Sequence, residues 1–110
     1  MSTATQLTPA APPIENLGAN SLRRLIECDH FHLHELTLWE PQPEVCDGSS
    51  FHITGCVEGA LAIHCAGLPE ERLVMGEFAL LPATLGPYTL VPAVPGAKAL
   101  KIFVPSLQSP

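Results

Sequence analysis

Apolar and polar positions alternate along "FHLHELTLW" (residues 31–39), the period-two pattern of a half-buried β-strand. The same period returns in "FHITGCVEG" (51–59), "ALAIHCAG" (60–67), "GEFALLPA" (76–83), "YTLVPA" (88–93) and "AKALKIFVP" (97–105). Between them stand turn formers: Asp47-Gly48 after Pro41 and Pro43, Glu58-Gly59, and the "LPEERL" segment (68–73). About six short strands at intervals of about 8 to 15 residues predict an all-β sandwich or barrel. Twelve prolines leave no room for a long helix. "NSLRRLIE" (20–27) is expected to form a short helical turn capped by Asn20 or Ser21. Residues 1–20 carry Ser, Thr, Ala, Pro and Gly without periodicity and read as a flexible arm or linker, leaving residues 21–110 as one domain.

Charge narrows the function. The five basic residues (Arg23, Arg24, Arg72, Lys98, Lys101) are scattered against eleven acidic ones, for a net charge of −6. No basic stripe exists to neutralise phosphates, so nucleic acid is not an expected partner. No apolar stretch approaches the roughly 20 residues that span a bilayer. The start "MSTATQLTPAAPP" lacks the basic and apolar regions of a signal peptide. Cys28, Cys46, Cys56 and Cys65 form no C-x-x-C pair. A cytoplasmic protein with reduced, mostly buried thiols is expected.

The histidines are the candidate chemistry. His30, His32 and His34 share one strand face and are a weak candidate for a metal site. Phe31 and Leu33 alternate with them, so the expectation is that those two face the core and the imidazoles face outward. His52 is expected to point inward beside Thr54 and Cys56. His52, Thr54, Cys46 and His64 are the candidates for a barrel pocket. Tyr88 is expected in the core with its hydroxyl at the rim, and Trp39 over one barrel end. No Ser-His-Asp set, G-x-S-x-G or phosphate-cradling glycine loop is present, and no residue is nominated as catalytic.

Several segments together resemble a family. Gly76-x5-Pro82 is half of the second cupin motif, G-x5-P-x-G-x2-H-x3-N. Counting back from Gly59, the glutamate position of the first motif, G-x5-H-x-H-x3,4-E-x6-G, falls on His52. "LIECDHFHLHELTL", "SFHITGCVEGALAI", "LLPATLGPYTL" and "ALKIFVP" are similar, in order, to the C-terminal cupin domain of type I mannose-6-phosphate isomerase. The resemblance covers roughly residues 25 to 105 and implies a small cupin-type jelly roll.

What the resemblance implies about function is divided. The family interconverts mannose 6-phosphate and fructose 6-phosphate at a zinc held by an N-terminal cupin. None of that domain's motifs stands in these residues, so no cofactor is expected in this chain and zinc belongs to the family's N-terminal domain. At the H-x-H positions stand Cys46 and Gly48, or Val45 and Asp47, and at the second motif's histidine stands Pro87. An accessory, non-catalytic role follows, with a catalytic cupin domain or a second copy as partner. Two alternatives remain: a stand-alone small cupin that binds a sugar or sugar phosphate, and a metal-dependent enzyme using the His30/His32/His34 stripe.

Overall fold

The computed structural model describes residues 13–104. They form ten strands: β1 (Ile14–Leu17), β2 (Asn20–Glu27), β3 (His32–Leu38), β4 (Gln42–Cys46), β5 (His52–Glu58), β6 (Ala60–His64), β7 (Glu71–Val74), β8 (Phe78–Leu81), β9 (Gly86–Pro92) and β10 (Ala97–Phe103). Two antiparallel sheets result, in the orders β1-β2-β3-β10-β5-β8 and β4-β9-β6-β7. This is the all-β sandwich that the alternation and turn spacing predict, in the jelly-roll form that the resemblance implies.

The apolar rows meet between the sheets. Leu36 and Leu38 of β3, Ala99 of β10 and Cys56 of β5 face Leu61, Ile63 and Leu90 of the opposite sheet, all buried. Gly59 turns β5 into β6 at φ 80°, a conformation that costs a residue with a Cβ. Trp39 leans over the turn at Gly96, at the end where Leu38 pairs with Ala97.

Four departures from the expectation have physical reasons. "NSLRRLIE" is strand β2, because Asn20 and Leu22 are buried on alternate positions and β1 pairs along it. The expected arm therefore ends earlier: residues 14–17 are β1, while residues 1–12 lie outside the described residues. β4 includes Pro43, which a sheet tolerates here because β4 is an edge strand. β7, also an edge, occupies the expected turn "LPEERL".

A further departure concerns β3. His32 and His34 share their parity with Leu36 and Leu38, so they face inward, while Phe31 is exposed and Leu33 faces out. The two buried leucines set the orientation of the strand, and the histidines follow them. Of the four thiols, Cys46 and Cys56 are buried as expected, but Cys65 is half-buried and Cys28 is exposed.

Candidate ligand pocket at the polar end of the sandwich

Three side-chain rows cross the inner face of β3, β10 and β5. Leu36–Ala99–Cys56 is apolar, His34–Lys101–Thr54 is polar, and His32–Phe103–His52 places an aromatic ring between two imidazoles. The inner face thus passes from core to polar pocket within two steps of the pleat, about 13 Å along a strand. The opposite sheet contributes Glu44, which pairs in register with Tyr88, and Cys46 beside Gly86.

Lys101 is the pivot. Its ammonium forms an ion pair with Glu44 across the two sheets, with each side chain only 11% exposed. It also stands 5.1 Å from the centre of the Phe103 ring. Phe103 in turn meets the rings of His32 and His34 edge-on, each with centroids 5.1 Å apart. A cavity of about 400 Å³ opens here, bordered by Glu44, Ser50, His52, Lys101, Phe103 and Val104.

His52 and Tyr88 form a neutral pair, with Nδ1 2.6 Å from the phenol oxygen. Burial first, then Lys101, lowers the His52 pKa below its ordinary 6.5. Burial, with Glu44 adding to it, raises that of Tyr88 beyond the physiological range. The Tyr88 hydroxyl is therefore internal and not at the rim. Burial likewise pushes the Cys46 thiol up, which suppresses its thiolate.

On the other side of Phe103 lies a second cluster. Glu27 Oε2 accepts from His34 Nε2 at 2.9 Å and from Arg24 Nη1 at 3.1 Å, and stands 3.8 Å from His32 Nδ1. A bulge in β2 between Arg24 and Ile26 brings both Arg24 and Glu27 opposite the histidines, as the pairs Arg24–His34 and Glu27–His32. The His34 hydrogen bond, more than the nearby Arg24, holds the Glu27 carboxyl below its ordinary range. Burial lowers the His34 pKa, with Glu27 opposing. An ionised carboxylate only accepts, so the neutral imidazole carries its proton on Nε2 and leaves Nδ1 as a bare acceptor. Among the described residues, His34 Nδ1 and Thr54 Oγ1 are the buried side-chain polar atoms without a partner. They flank Lys101 in one row.

The predicted site residues divide. His52, Thr54 and Cys46 are buried at this end of the sandwich. His64 is not with them: it is exposed on β6, 3.0 Å from Glu70, because the neighbouring Ile63 takes the inward position. His32 and His34 come together with Glu27, while His30 stays exposed on the loop before β3. Glu27, Glu44, Lys101 and Phe103 were not anticipated. Lys101 and Phe103 had a signal, since they share parity with Ala97 and Ala99 on the apolar side of "AKALKIF". Glu27 had none, because a bulge decides its face.

The family's zinc set does not fit these residues. At the motif positions stand either a Cys46 thiol with a raised pKa or Asp47, whose carboxylate accepts from Ser49, then a histidine paired with Tyr88, and Pro87, which is exposed and carries no donor. Two such donors do not complete a tetrahedral shell.

No protein-family model and no curated protein matches the chain. Solved structures do match in fold. KdgF from Halomonas sp. superposes with a TM-score of 0.73 at 14% identity, covering 84% of this chain and 87% of that one. An RmlC-like cupin from Shewanella frigidimarina NCIMB 400 gives 0.70 at 16% identity, covering 88% and 86%. The mannose 6-phosphate isomerase of Bacillus subtilis gives 0.68 at 15% identity, covering 86% of this chain and 29% of that chain. The fold is that of the RmlC-like cupins. Among the described residues, no helix is long and apolar enough to cross a membrane.

Proposed function

We propose that this chain is a non-catalytic cupin of the mannose-6-phosphate isomerase type. It packs beside a catalytic cupin domain, which carries out the isomerisation of mannose 6-phosphate to fructose 6-phosphate. The observation that carries this reading is the donor set at the motif positions, where Cys46 or Asp47, with His52 and Pro87, cannot make a zinc shell. The four resembling segments support it, as does the likeness in fold to an isomerase of which this chain spans a fraction.

A surface for the catalytic domain lies on the outer face of the six-stranded sheet. Ile26, Leu33, Ile102, Ile53 and Leu80 make one apolar row across five strands. Ile26 and Leu80 at its ends are exposed. In the isolated chain the same row pairs with a second copy. The test is a coupled assay for fructose 6-phosphate with the purified chain, with and without zinc. Turnover by the chain alone would sink the reading.

A second reading, a stand-alone cupin that binds a sugar or sugar phosphate, is favoured by the cavity of about 400 Å³ bordered by Glu44, Ser50, His52 and Lys101. Glu44, His52 and Lys101 offer that cavity the mixed acceptors and donors that sugar hydroxyls pair with. A phosphate would compete with Glu44 for Lys101. This reading expects mannose 6-phosphate or fructose 6-phosphate to raise the melting temperature saturably. No shift at millimolar sugar phosphate would exclude it.

A further inference from the structure

The geometry points to a divalent-metal site, of the class that holds zinc, formed by Glu27, His32 and His34. It goes beyond the accessory role and does not depend on it. These residues stand on β2 and β3, apart from the motif positions, which fall on β4, β5 and β9 and on the loop after β4. Their three ligand atoms lie within 4.8 Å of one another. Two histidines and one carboxylate are a common zinc set, with a fourth position left for water.

The strand geometry explains the convergence. His32 and His34 are two residues apart on one strand, so both imidazoles leave the same face. Glu27 is the cross-strand partner of His32. Tetrahedral bonds of about 2.1 Å put ligand atoms about 3.4 Å apart. The Glu27–His34 separation of 2.9 Å opens by a few tenths of an ångström and the Glu27–His32 separation of 3.8 Å closes by a similar amount. The His34 side chain is more than nine-tenths buried, at 8% exposure, and packs edge-on against Phe103, which fixes its ring.

Arg24 is the competitor for the same carboxylate. It holds Glu27 through Nη1 alone, while its Nε and Nη2 grip both oxygens of Glu15. A cation entering at Glu27 breaks the Arg24 Nη1 bond and the His34 Nε2–H bond, the His34 proton passing to the unpartnered Nδ1 so that Nε2 can ligate, and leaves Arg24 its bidentate partner. Lys101, across from His34, adds a second positive charge that moderates affinity.

The experiment is calorimetric titration of the full chain with zinc sulfate, repeated with Co2+ for its visible absorption. The expected result is one equivalent bound, with a tetrahedral Co2+ spectrum. Glu27→Gln and His34→Gln each weaken binding at least tenfold. Glu27 is exposed, so its variant folds, and metal-free melting curves verify the fold of the His34 variant. Arg24→Gln removes the competing charge and tightens zinc by about three- to tenfold, whereas an anion site would weaken. His30→Gln and His64→Gln leave binding unchanged. Binding that survives Glu27→Gln, or that His64→Gln abolishes, would overturn the site. So would the absence of any binding at micromolar zinc. Zinc bound here without isomerase turnover leaves the accessory reading intact.

Discussion

Lys101 on β10 and Glu44 on β4 form an ion pair that ties the two sheets together above the pocket, with both side chains nearly buried. Each charge is left with little water beyond what the adjoining cavity admits. Removing one therefore strands the other, which costs about 3–5 kcal/mol. Glu44→Gln and Lys101→Met are expected to lower stability singly by amounts that exceed their joint effect in the double variant. Urea midpoints of the four proteins measure the coupling. Additive single effects would mean the charges do not act as a pair.

Tyr88→Phe removes one hydroxyl and leaves His52 Nδ1 buried without its partner. The expected loss is about 1–3 kcal/mol, read from denaturant unfolding. An unchanged midpoint would show that water replaces the phenol.

The pH dependence follows from His34 and His52, whose folded pKa values both lie below the ordinary 6.5. As pH falls through 6.5, the unfolded chain takes up protons that the folded chain refuses, so stability falls. Glu15, Glu27 and Asp47 have lowered values and extend the loss below their ordinary 4.5, 4.5 and 3.8. Unfolding midpoints between pH 8 and 5 should decline below about pH 6.5. His52→Gln should flatten the slope in that window. A midpoint that rises on acidification to pH 5.5 would contradict the assignment.

The outer apolar row predicts concentration-dependent self-association of the isolated chain, measured by sedimentation velocity. Leu80→Glu puts a charge at an exposed end of the row and should shift the chain to monomer. A wild-type chain that stays monomeric at high concentration would remove this face from the account.

Much of the fold was legible because alternation is a local signal. β3, β5, β6, β8, β9 and β10 all announce themselves by period two and by the glycines and prolines between them. β4 and β7 are edge strands, where proline and charge are tolerated and the alternation is blunted. β2 was misread because Arg23-Arg24 interrupts its apolar face, and only pairing with β1 and β3 makes it a strand. The inward turn of His32 and His34 was in the sequence, carried by Leu36 and Leu38 four residues on. Judging parity from Phe31 and Leu33 alone gave the wrong face. The approach of Glu27 was not legible, since a single bulge two strands from the pocket centre decides it.

The most direct test of the central claim is the coupled assay for fructose 6-phosphate, run on the purified chain after loading with zinc and after its removal. The account predicts that zinc binds at Glu27, His32 and His34 and that neither form turns over mannose 6-phosphate. Zinc-dependent turnover that disappears in His34→Gln would contradict it, and would make the inner face of β3 the catalytic centre.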